Sequence, residues 1–154
     1  MLIFKVLHIL SMFTMVTVFL GGEFFYAYAV WRRDVRALAS IQRIERQSGA
    51  GIVGTVVFFA GLAFGLLAAL TGGFDVLDGW LIAAYVLVAA FLTNVALSVE
   101  KLLELGDRAV EADAGQRPAE EVVRDMGASP AVRFFAVNAV LFTAIIVDMV
   151  VKPF

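Results

Sequence analysis

Residues 50–71 read AGIVGTVVFFAGLAFGLLAALT, without a single charge. At about 1.5 Å per residue, a helix of this length covers roughly 33 Å, enough to cross the hydrocarbon core of a bilayer. Three more stretches of the same kind lie outward from it, at roughly 2–30, 80–99 and 131–151. A membrane β-barrel would show alternating segments of about ten residues instead, and none are found. Composition agrees with the spans. Of the 154 residues, 62% are apolar and 17% charged, against about 25% charged in a soluble domain. A soluble chain this short has no interior large enough to hide so much apolar surface. The expectation is an all-α integral membrane four-helix bundle, one transmembrane domain over 1–154, with amphipathic cytoplasmic connections at 31–49 and 100–130. Ala27-Tyr28-Ala29 resembles a signal-peptide cleavage site, but the apolar run before it is too long, so the first stretch is read as a retained span.

Charge placement sets the expected orientation. Arg32, Arg33, Arg36, Arg43 and Arg46 follow the first span, and Lys101, Arg108, Arg117, Arg124 and Arg133 follow the third. Only Lys5 and Lys152 lie at the other end, and the short connection Gly72 to Gly79 carries Asp75 and Asp78 with no cation. Cations favour the cytoplasmic side, so both termini are expected outside. The net charge of −2 leaves no basic excess for nucleic acid. Cysteine is absent, which removes disulfides and thiolate chemistry.

Both cytoplasmic connections have helical spacing. Trp31, Val35, Leu38, Ile41 and Ile44 form an apolar stripe between arginines. It reads as an interfacial extension of the first span, or as a specific binder of anionic lipid. Ser48-Gly49-Ala50-Gly51 breaks it. In the second connection, Pro118 marks a helix start, Gly127 a stop, and Ser129-Pro130 a cap for the fourth span. The acidic run from Glu100 to Asp125 reads as a solvated face. Gly61 and Gly65 form a GxxxG pattern, with Gly54 two turns earlier. That pattern suits close packing inside the bundle or a dimer face.

Ionisable groups inside a span are costly and mark functional candidates. On the first span, Lys5, His8, Met12, Met15, Phe19, Gly22, Glu23 and Tyr26 share a stripe about 100° wide. On the fourth, Phe134, Asn138, Leu141, Ile145, Asp148 and Lys152 share one about 80° wide. Counted from the chain ends, His8 and Asp148 both lie roughly 10 Å in, and Glu23 lies about 22 Å deeper than His8, near Asn94 and Ser98. His8 is thus expected to meet Asp148, either as a structural pair or as a haem ligand with its acceptor. Asp148 alternatively neutralises Lys5 or Lys152. Glu23 is expected to touch the third or fourth span, or a partner chain, rather than lipid. Asn94 or another polar group would be its partner, with Glu23 either a protonated hydrogen-bonded group or a proton relay.

Leu7-His8-Ile9, Gly21-Gly22 and the ending Val150-Val151-Lys152-Pro153-Phe154 resemble small bacterial four-span membrane proteins grouped around the HemJ-type protoporphyrinogen oxidase. The copper-resistance D membrane domain and a set of uncharacterised integral membrane proteins belong to the same group. The resemblance implies a haem- or porphyrin-associated redox protein of the bacterial inner membrane, with haem b held by His8 through its iron. It also implies a functional cation at Lys152 and a polar contact from Asn138. The candidate site is therefore Glu23, Asp148 and Lys152 as catalytic groups, with His8, Met12 and Asn138 as cofactor contacts. Besides the lipid bilayer, the expected partners are further copies of the chain or another membrane subunit. The competing reading is non-enzymatic: a homo-oligomeric scaffold, a channel or an accessory subunit.

Overall fold

The computed structural model describes residues 2–151, and among them it contains six helices and no strand. They are α1 (Leu2–Arg32), α2 (Val35–Ser48), α3 (Ala50–Thr71), α4 (Gly79–Asp113), α5 (Ala119–Ala128) and α6 (Ala131–Val151). Four of them, α1, α3, α4 and α6, are long and apolar enough to cross a membrane. The all-α bundle expected from the sequence is the fold observed.

Close helix packing in lipid needs small residues, and α3 supplies them. Gly54 faces Phe19, Gly61 faces Met12 and Ser11, and Gly65 faces the His8 ring. The GxxxG pattern is thus spent inside the molecule, on the α1–α3 contact. On its other side α1 packs against α6, and α6 in turn packs against α4. No Cα of α3 comes within 8 Å of any Cα of α4. The four spans therefore run α3–α1–α6–α4 as an open row bent on itself. Side chains alone bridge its ends midway. Phe91 packs against Phe58 at 5.6 Å and Phe142 at 4.8 Å between ring centroids, over a fully buried Met15. At the end that carries the chain termini, Ala69, Trp80 and Leu81 form a smaller cluster with Phe74 and Met149.

The opposite end departs from the sequence reading in two respects. First, the helix that carries the third span does not stop near residue 99. α4 continues to Asp113, and its 35 residues cover about 52 Å, far more than a bilayer core needs. Second, the connection after α1 is no extension of that span. Arg33 adopts a left-handed φ of 56° and Asp34 caps a new helix, accepting from the Ala37 N–H at 2.9 Å. The reversal folds α2 back onto α4 until Gly49, at φ 64°, ends it. Leu38 and Ala39 of α2 are completely buried with Tyr26, Val30, Leu105, Ala109, Val122 and Met126. Removing a side chain like Leu38 from such a core costs about 2–5 kcal/mol, so apolar packing fixes α2.

The acidic run is correspondingly less solvated than expected. Asp107 pairs with Arg46 at 2.5 Å, Asp113 with Arg43 at 2.7 Å, Asp125 with Arg108 at 2.9 Å, and Glu111 with Arg117 at 3.0 Å. The Arg108 guanidinium, donating to the Asp125 and Glu104 carboxylates, is raised above its ordinary range by them. Exposed pairs of this kind contribute about 0–1 kcal/mol each, so they orient α2, α4 and α5 more than they stabilise them.

Candidate functional site

Where the ends of the row fail to meet, on the loop-rich side of Phe58 and Phe91, the chain forms a half-open cavity of about 740 Å³. Its walls are Ile52 and Thr55 of α3 and Val95, Val99 and Leu103 of α4. α1 supplies the floor with Val18, Phe19, Gly22 and Glu23. α2 closes the loop-rich end with Ile41, Gln42, Glu45 and Ser48. An apolar hollow of this volume with a few polar groups converging on it has the form of a small-molecule site. α3 and α4, whose Cα atoms nowhere come within 8 Å of each other, stand on either side of it.

A chain of polar side chains runs inward from the floor. Asn138 of α6 is fully buried and donates through Nδ2 to Glu23 Oε1 at 2.8 Å. Asn94 of α4 donates to Asn138 Oδ1 at 2.8 Å and more weakly to the Phe134 carbonyl at 3.4 Å. Three spans are thereby tied at one level by groups that lipid cannot satisfy. Glu23 Oε2 is buried and accepts no hydrogen bond among the described residues. Gln42 is similar: only 1% exposed, it donates from Nε2 to Asp107 Oδ1 at 2.9 Å, while its Oε1 has no donor. Gly106 makes room for this side chain, since a Cβ there would collide with the Gln42 amide. Tyr26 seals the corner with a hydrogen bond from its hydroxyl to the Leu102 carbonyl.

The candidate residues read from the sequence separate into two groups. Glu23 and Asn138 meet, and Asn94 joins them through Asn138 rather than by touching Glu23 directly. His8 and Met12 lie elsewhere, on the α1–α3 contact. His8 donates from Nδ1 to the Gly61 carbonyl at 2.7 Å, with its ring laid against Gly65. The expected His8–Asp148 pair is corrected: the hydrogen bond of His8 goes to α3. The register explains why. Glu23 sits opposite Asn138, so in this antiparallel pair Asp148 falls level with residue 13, about 7–8 Å along the axis from His8. Asp148 is buried, with Oδ2 lacking a hydrogen bond among the described residues, and Lys5 is exposed. Lys152 lies outside the described residues. The sequence reading did not single out Gln42. Its signal was an amide on the apolar face of α2, one turn after Leu38.

Among the described residues no His, Met, Cys or Lys lines the cavity, so haem there would find no nitrogen or sulfur axial ligand from them. Its carboxylate substituents would also share the space with Glu23 and Glu45. The group does not fit this cavity, and the one imidazole of the chain is packed on another face of α1.

A family model described as predicted integral membrane protein (DUF2269) matches residues 2–153. The match supports a family of integral membrane proteins and carries neither the oxidase nor the copper-resistance D assignment. No curated protein and no solved structure matches the chain.

Proposed function

We propose that this chain, which belongs to the DUF2269 family of predicted integral membrane proteins, binds one lipophilic small molecule that enters sideways between α3 and α4. The observation that carries this reading is the cavity of about 740 Å³ with the Glu23 carboxyl on its floor. A buried carboxyl is kept at the cost of its desolvation, and here only one of its two oxygens is matched by the protein. In this reading the protein is a binding protein rather than a catalyst, and the Asn138–Asn94 chain holds the carboxyl in place. The orientation that fits puts the arginine-rich end, and so the closed end of the cavity, on the cytoplasmic side.

Native mass spectrometry of protein taken from membranes without detergent tests the reading. The expected spectrum has a single one-to-one adduct above the lipid background. Thr55→Trp, which fills the cavity from α3, should remove the adduct. Val147→Trp, on an exposed face, should keep it. A bare wild-type protein, or an adduct that survives Thr55→Trp, would overturn it.

One observation favours a second reading, in which the chain carries haem b on His8. The 2.7 Å bond to the Gly61 carbonyl puts the proton on Nδ1 and leaves Nε2 as the free ring nitrogen. Iron-binding histidines are oriented by just such a bond to the backbone. Any haem would then lie outside the cavity, on the flank of the α1–α3 pair. A Soret band lost in His8→Ala supports this reading, and a colourless protein expressed with haem supplied rejects it.

A further inference from the structure

We infer that the occupant of the cavity is a long-chain molecule with a protonated primary amine as its head. This rests on the binding role proposed above and deepens it. The polar groups around the cavity are acceptors. The Glu23 carboxyl is on the lining, and its Oε2 is covered and has no donor among the described residues; Gln42 Oε1, also without one, is turned against Gly106 behind the wall. Glu45 adds a second carboxyl at the α2 end. The hydroxyls have turned their protons away from the cavity: Thr55 gives its proton to the Gly51 carbonyl, Ser48 to the Glu45 carbonyl and Tyr26 to the Leu102 carbonyl. Each of these oxygens presents only lone pairs to a guest. Among the described residues no Lys, Arg or His lines the cavity. The nearby cations of α2, Arg43 and Arg46, are committed to Asp113 and Asp107.

A guest must therefore bring donors, and a positive charge suits the two carboxyls. A carboxylate or phosphate head would bring more acceptors and a like charge into an apolar hollow, which is strongly unfavourable. An alcohol brings one donor and no charge. A quaternary ammonium has charge but no N–H, and leaves the lone acceptors unmatched. A primary ammonium has charge and three donors. Glu23 Oε1 stays with Asn138, and a small swing about the soft last torsion of the side chain turns Oε2 toward such a head. The apolar walls from Ile52 to Val99 take the chain.

The test uses the full chain in phosphatidylcholine nanodiscs and a diazirine-bearing long-chain primary amine. Cross-links should concentrate on α3 around Thr55 and on α4 around Val95 and Val99, above those at lipid-facing Val147. Dodecylamine should compete at about tenfold lower mole fraction than dodecanol, the margin of one charge-assisted hydrogen bond. Dodecyltrimethylammonium should fall between them, and dodecanoate should compete least. Glu23→Gln should erase most of the margin between amine and alcohol. Glu45→Gln, at the end of the cavity and away from the packed polar chain, should narrow it by a smaller factor. Dodecanol or dodecanoate competing as well as dodecylamine would overturn the amine head while leaving the cavity as a binding site. Labelling no stronger around Thr55 and Val99 than at Val147 would overturn both.

Discussion

Replacing Asn138 with Leu removes the middle of the polar chain, and the cost follows from what each neighbour loses. Glu23 Oε1 loses its donor at 2.8 Å, leaving both carboxyl oxygens unmatched. Asn94 loses its 2.8 Å acceptor and keeps only the long bond to the Phe134 carbonyl. Hydrogen bonds between membrane helices contribute about 0.6 kcal/mol on average and up to about 1.7. Two are broken, so the variant should be less stable by about 1–3 kcal/mol, toward the upper end because the groups left behind are buried. SDS-titrated unfolding in mixed micelles reads the loss as a lower midpoint. Glu23→Gln keeps an acceptor for Asn138 and should cost under about 1 kcal/mol. Glu23→Leu combined with Asn138→Leu should cost less than the two single changes added, because the second change removes the group that the first had stranded. An Asn138→Leu variant that unfolds at the wild-type midpoint, or a strictly additive double variant, would refute the chain of contacts.

Gly61→Ala should destabilise by about 1–3 kcal/mol in the same titration, because the new methyl meets Met12 and the Ser11 Cβ at 3.1 Å. Gly21→Ala, with nothing within 4 Å, should be neutral or stabilising by up to about 1 kcal/mol through helix propensity. Asp34→Ala should cost about 1 kcal/mol by uncapping α2, with Asp34→Asn restoring most of it. For topology, cysteines at Ser40 and Gly115 should resist an impermeant thiol reagent in intact cells while one at Asp75 reacts. Labelling of Ser40 from outside would reverse the orientation.

What was legible in the sequence and what was not follow from the range of the forces involved. The bounds of α3 at 50–71 and the start of α6 at 131 match the sequence expectation because breaks in the apolar run mark those ends. Pro118 likewise marked the start of α5, but the helix runs on through Gly127 and ends at Ala128, with Ser129 as its cap. Hydropathy marks where the membrane ends and not where a helix ends, so the continuation of α4 from Ser98 to Asp113 was hidden beneath a change from apolar to charged residues. Asp34 stood in plain view as a helix cap, yet Leu38 and Ile41 suit a lipid headgroup surface as well as the α4 flank they cover. Glu23 was correctly read as facing inward. Its partner on the fourth span was not named because depth was counted from the chain ends, as if every helix began flush with the membrane surface. The same assumption paired His8 with Asp148. The cavity itself was beyond reach: the separation of α3 from α4 depends on how α1 and α6 stack between them.

That separation is what binding between α3 and α4 requires, and cysteine pairs measure it against no background, since the chain has no native cysteine. A disulfide needs Cα atoms within about 7 Å. With α3 and α4 kept more than 8 Å apart, a Thr55→Cys/Val99→Cys protein in nanodiscs should stay reduced under a mild oxidant. Ser11→Cys/Gly61→Cys, across the tight α1–α3 contact, should cross-link. Rapid, complete bridging of the Thr55 and Val99 positions would mean that the two helices close on each other and that no cavity stands between them.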